Sequence, residues 1–117
     1  EPLMLVIDTA TDQVIERIAV EGQRRVYKVY YSPDGKRLLT MSSSPDQINI
    51  FDAANLHAPQ KIVTVGKSPM GFGFSADGKT VLVANHGDGT VTVVDLEKAQ
   101  AVKTFKAGTG IETLAYY

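Results

Sequence analysis

The sequence predicts an all-β fold made of repeated four-stranded antiparallel units, and three observations lead there. Short runs rich in Val, Ile, Tyr and Phe alternate at period two between turn clusters, as in "VYKVYY" (26–31) and "QINIFD" (47–52). A tight turn recurs: "SPDGK" at 32–36 returns as "SADGK" at 75–79, 43 residues on. No long window carries an i, i+3, i+4, i+7 apolar stripe bounded by helix caps. A period of roughly 40–45 residues is that of β-propeller blades.

The elements follow in chain order. "LVIDTA" around Asp8 is a strand, and "DTATDQVIERI" reads as a turn and a second strand. "VYKVYY" (26–31) is the first strand of a full unit. The turn after it has a mechanism: Pro33 presets φ, Asp34 accepts local backbone N–H groups, and Gly35 takes positive φ. "RLLTMS" (37–42), "QINIFD" (47–52) and "KIVTVG" (61–66) complete the unit. Ile48 and Ile50 fall on one face of their strand, Asn49 and Phe51 on the other.

The second unit repeats this order. "GFGFSADGKTVLVAN" (71–85) aligns on the first two strands, with Ala76 in place of Pro33 and Asp77-Gly78 kept. Asp95 falls on Asp52 at the same 43-residue offset, and Asp8 lies 44 residues before Asp52. "DLEKAQAVKTF" (95–105) has good helix formers, but its repeat mates carry Thr or Pro, so it reads as turn then strand. "GTGIETLAYY" (108–117) aligns on "GKSPMGFGFS", so the chain is expected to stop one turn short of a third copy.

Composition removes several classes. The 117 residues carry a net charge of −1, which gives no general attraction to nucleic acid or anionic membranes. The absence of cysteine excludes disulfides and thiolate metal sites. No stretch approaches the length of an apolar membrane span. The start, "EPLMLVIDTA", lacks a basic n-region and carries an acid, so it reads as mature or internal sequence.

Taken together, "IDTATDQVIERIAV" (7–20), "SPDGKRLL" (32–39), "VGKSPMGFGFSADGK" (65–79) and "VLVANHGDGTVTVVD" (81–95) resemble the YVTN-type β-propeller repeat. That repeat occurs in surface-layer proteins and in periplasmic enzymes of the cytochrome d1 and amine dehydrogenase kind. The signature tetrapeptide falls on Leu82-Val83-Ala84-Asn85 and is degenerate at Leu39-Thr40-Met41-Ser42. The absence of Trp sets the chain apart from WD40 units. The resemblance implies periplasmic or extracellular placement. It also implies a half blade over 1–22, full blades over 23–66 and 67–108, and an innermost strand over 109–117. A propeller closes with about 4–8 blades. Roughly two and a half blades are therefore expected to pack against the remainder of a propeller, against copies of themselves, or under a partner, and to be oligomeric or aggregation-prone when isolated.

In such folds ligands gather at the loops around the channel mouth, which here are 21–25, 43–47, 66–69, 85–89 and 108–111. The candidate ligand-binding residues are Arg24, Arg25, Lys67, Asn85, His86 and Asp88. An adjacent Arg pair suits bidentate capture of carboxylate or phosphate. The plainer reading is a solvated pair or an ion pair with Glu21. Histidine meets haem iron in the cytochrome d1-like members, which gives His86 its functional reading, but one histidine is no metal set and a turn histidine is favoured. His57 reads as an exposed loop residue. No metal or cofactor is expected.

"GFGFSA" (71–76) fits G-x-G-x-x-A, yet a turn and a strand follow where pyrophosphate binding needs a helix N-terminus. The glycines instead permit close approach of innermost strands. Ser43, His86 and Asp88 form no triad that spacing supports. Tyr27, Tyr30, Tyr31, Tyr116 and Tyr117 read as inter-blade packing rather than a base-stacking track. The leading functional expectation is a non-catalytic binding or scaffold module that takes a protein or small molecule at its channel-side loops. A segment of a periplasmic oxidoreductase and a lactonase- or lyase-like propeller stand behind it.

Overall fold

A computed structural model describes residues 2–112 and 114. It contains ten strands in three antiparallel sheets and no helix among the described residues. β1 (Leu3–Asp8) and β2 (Gln13–Ala19) form a two-stranded sheet. β3 (Val26–Tyr31), β4 (Arg37–Ser43), β5 (Asp46–Asp52) and β6 (Lys61–Thr64) form a four-stranded meander. β7 (Pro69–Phe74), β8 (Thr80–Asn85), β9 (Thr90–Asp95) and β10 (Gln100–Lys106) form a second. The helix-favouring segment after Asp95 is a turn leading into β10, which pairs along β9 with Phe105 opposite Val91 and a bulge at Val102. The strand expected over 109–117 falls largely outside the described residues.

Corresponding strands pair in the same pattern. Each innermost pair carries a bulge at the same repeat position, between Val26 and Lys28 in β3 and between Pro69 and Gly71 in β7. A bulge strengthens local twist.

Alternation along β4 and β5 sends side chains to two different seams. Leu39, Met41, Ile48 and Ile50 meet Val81, Val83, Val94 and Leu96 of the next sheet. Phe72 and Phe74 pack on the same seam, and Tyr30 meets Phe72 edge-on with ring centroids 5.4 Å apart. Leu38 and Phe51 point the other way, onto Met4, Ile18 and Val20 of the two-stranded sheet. All three tyrosines of β3 stay exposed, though Tyr30 also touches Phe72 across the seam.

The seam toward β1–β2 also carries a buried amide network. Asn49 Oδ1 accepts from Gln23 Nε2 at 2.9 Å and from Gln47 Nε2 at 2.8 Å. Its Nδ2 donates to Glu21 O and to Gln60 Oε1, both at 2.8 Å. Gln60 Nε2 donates in turn to Ala19 O at 2.7 Å. Buried amides are stable only when paired, and here the pairing ties the end of β2 to the neighbouring sheet.

The β7 glycines also have a spatial reason. A Cβ on Gly73 would lie 3.1 Å from the Leu114 Cβ, so Leu114 lies close over the innermost strand.

Candidate functional site

The antiparallel order places two kinds of connection at opposite ends of the sheets. One end carries the hairpins β3–β4 and β7–β8 together with the connections β1–β2, β5–β6 and β9–β10. Its aspartates are turn staples. Asp34 Oδ1 accepts from Ser32 Oγ at 2.6 Å and from Lys36 N at 3.0 Å, and Asp77 Oδ1 accepts from Ser75 Oγ and Lys79 N at the same distances. The serine hydroxyl, then the backbone N–H, hold both carboxyl groups below the usual carboxylate range. Asp8, Asp52 and Asp95 each accept a backbone N–H two or three residues on. These bonds give the acids a local structural task.

The opposite rim carries the β4–β5 and β8–β9 hairpins and the loops that pass from one sheet to the next. Here loop 66–69 lies against loop 85–89. His86 N donates to Ser68 O at 3.0 Å, Gly87 N to Lys67 O at 2.9 Å, and Lys67 N to Asp88 Oδ2 at 3.1 Å. Asp88 also takes the Thr90 hydroxyl and backbone N–H. Its carboxyl is held low chiefly by that hydroxyl, with the Lys67 and Thr90 N–H groups adding. One sheet over, Arg24 N donates to Ser44 O at 2.9 Å. Asp46 Oδ1 then accepts from Ser68 N at 2.9 Å, which joins the two halves of the rim.

The six candidate residues have different situations. Lys67, Asn85, His86 and Asp88 share one loop cluster, while Arg24 and Arg25 sit at the matching place one sheet away. Arg24, Arg25 and Lys67 are exposed, and among the described residues no carboxylate lies within ion-pair distance of them, Glu21 included. His86 is half-exposed, with Nδ1 3.7 Å from Glu112 Oε1. Asn85 is fully buried and donates to Thr90 Oγ1 at 3.1 Å and Thr92 Oγ1 at 2.9 Å, while its Oδ1 has no partner. It packs under Gly66, where a Cβ would lie 2.6 Å from Asn85 Nδ2. Asn85 thus forms part of the floor of the rim.

Ser43 Oγ is bonded to Tyr27 OH at 2.7 Å, and Asp88 is committed to Thr90 and Lys67, so Ser43, His86 and Asp88 assemble no triad. Two rim features escaped sequence reasoning. Asp46 had no signal beyond its loop position. Lys28 reaches from β3 to donate to Met70 O on β7 at 2.6 Å, and its place on an alternating strand was the one available hint.

Fold and rim together define a class: this is a β-propeller segment with two four-stranded blades and a two-stranded half blade. The chain belongs to the family described as "Lactonase, 7-bladed beta-propeller", whose model matches residues 6–109. A comparison with curated proteins returns no match. Among solved structures it is similar to the dihydro-heme d1 dehydrogenase NirN in complex with DHE, at 20% identity and TM-score 0.73, covering 95% of this chain and 25% of that one. A Bacteroides fragilis protein assigned as a 6-phosphogluconolactonase gives 18% identity and TM-score 0.72, covering 95% and 34%. Kuenenia stuttgartiensis hydrazine synthase gives 23% identity and TM-score 0.68, covering 83% and 29%. The chain therefore spans about a quarter to a third of these structures. At such identities the likeness is one of fold.

Proposed function

We propose that the chain is a binding and scaffold segment of a lactonase-family propeller, taking an anionic small molecule or an acidic partner surface at the rim of Arg24, Arg25 and Lys67. The observation that carries this is the contrast between ends. On one end the aspartates are consumed by turns; on the other, Arg24 and Arg25 stand exposed with no carboxylate within ion-pair distance among the described residues, and Lys67 lies exposed beside an Asp88 already engaged by Thr90. An Arg pair matches carboxylate and phosphate oxygens geometrically. On this reading the repeat is of the YVTN type, the open blade faces pack against further blades, and the protein works outside the cytoplasm. Cell fractionation tests the last point.

A lactone-hydrolysing reading is favoured by the family match. Water would add to the lactone carbonyl, the ring C–O bond would break, and a carboxylate, a hydroxyl and a proton would result. The rim cations would hold a phosphorylated lactone, and the hydrolytic groups would come from other blades. One experiment separates the readings. The native protein is given 6-phosphogluconolactone in a pH-stat, and 6-phosphogluconate binding is followed by calorimetry. Binding without acid release supports the scaffold reading. Acid release that falls in Arg24→Ala/Arg25→Ala supports the lactonase reading. Neither binding nor release overturns both.

A further inference from the structure

We infer a second ligand site, on the opposite rim, in a cleft of about 710 Å³ between the two complete blades. We propose that it takes a small organic anion with an apolar body. The volume falls in the range of small-molecule sites. The cleft lies between two sheets that are both four-stranded here, so it owes nothing to the open faces.

The loop that walls it breaks the repeat. The β1–β2 and β9–β10 connections, Thr9–Asp12 and Leu96–Ala99, have four residues each, whereas the β5–β6 connection, Ala53–Gln60, has eight. Insertions in one repeat of an array gather on binding faces. The extra residues are ordered by their own bonds: Ala58 N donates to Asn55 O at 3.1 Å, and His57 N to Asn55 Oδ1 at 3.2 Å. Gln60 at the loop's end is fixed in the amide network. Ala58 and Pro59 are thereby held as one wall, and Ile50 and Leu96, which share the seam between the blades, lie beneath as an apolar floor.

The charges around the cleft set the ligand's sign. Lys36 and Arg37 come to it from the start of β4, and Lys61 from the start of β6. Among the described residues none of them has a carboxylate within ion-pair distance. Two acids also line it, but both are engaged. Asp52 Oδ1 accepts from Ala54 N at 2.9 Å, and Glu97 Oε1 lies 4.0 Å from Lys79 Nζ. Lys36 and Arg37 also act on Asp34 in the adjoining turn, and with Lys61 they leave cations over an apolar floor, which suits an acid group joined to a small apolar body.

The test is calorimetric titration of the full chain with phenyl phosphate, benzamide and inorganic phosphate. Saturable binding of phenyl phosphate, absent for benzamide and weaker for inorganic phosphate, is expected. Lys36→Gln/Lys61→Gln should weaken it about tenfold or more, the usual scale for losing charge-assisted bonds. Lys103→Gln, on the outermost strand, should leave it unchanged. A deletion shortening the 53–60 loop to four residues should abolish binding while keeping the β-sheet circular dichroism. Equal binding of benzamide, no saturation, or full affinity in the double variant would each overturn the site. All these residues lie on the end away from Arg24, so failure here leaves the reading of that rim standing.

Discussion

Gly35 and Gly78 hold the same place in the same turn, each at φ 71°, yet their surroundings differ. Nothing lies within 4 Å of a Cβ added at Gly35. A Cβ at Gly78 would lie 2.5 Å from Asp34 Oδ2 and 2.6 Å from its Cγ, so the two turns touch. Gly35→Ala therefore meets only the left-handed backbone penalty, about 1–2 kcal/mol. Gly78→Ala meets the same penalty plus an overpacking term of about 1–3 kcal/mol. Asp34 cannot swing aside freely, because Ser32 Oγ and Lys36 N hold its carboxylate. Removing that side chain first should remove the extra term. In an Asp34→Ala background, Gly78→Ala should cost no more than Gly35→Ala does alone. Urea unfolding of the four variants, followed by circular dichroism, supplies the cycle. Equal costs at the two glycines, or additive costs for Asp34 and Gly78, would refute the contact and with it the packing of successive hairpins.

Other expectations follow from the same geometry. Asn49→Ala strands Gln23, Gln47 and Glu21 O and should cost about 3 kcal/mol or more by urea unfolding. Asn49→Thr, which installs the residue found at Thr92 in the next blade, should cost less. Gly66→Ala, blocked at 2.6 Å by Asn85 and 2.9 Å by Thr90, should cost about 1–3 kcal/mol from crowding. Asp34, Asp77 and Asp88 titrate lower folded than free, so the stability they contribute is complete above a free pKa of about 4 and is lost as pH falls through their folded values. The urea midpoint should decline below that pH, and more shallowly in Asp77→Asn; an unchanged slope would count against the serine–aspartate staple.

The parts of the fold written locally were legible. The strands showed as period-two runs, and the Asp-Gly turns as residues bonding within five positions of each other. The serine that completes the turn was present in both quoted copies, as Ser32 and Ser75, and could have been read as the second half of the staple. The amide network was not legible. Gln23 and Asn49 are 26 positions apart and Ala19 and Gln60 are 41 apart, and nothing near any of them signals a partner. The rim lay between these cases. Topology placed Lys67 and His86 on one end, but the exposure of the Arg pair and the burial of Asn85 depend on how loops from two sheets settle together. The eight-residue connection is twice the length of its repeat mates, and its meaning emerged once it stood over a cleft.

The two sides of the β3–β6 blade are sealed by different chemistry. Toward β7–β10 the seal is chiefly aliphatic and aromatic, with Lys28 and Asp46 bonding only to backbone groups near the rim, and such surfaces accept many shapes of similar volume. Toward β1–β2 the seal adds four amides whose donors and acceptors must each find a counterpart. Presented with the wrong neighbour, the first face would repack, whereas the second would be left with buried groups unanswered. A ring of look-alike blades has a sorting problem, and this blade carries a lock on one flank and an adhesive on the other. Its place in the circle is thereby written into hydrogen-bond polarity.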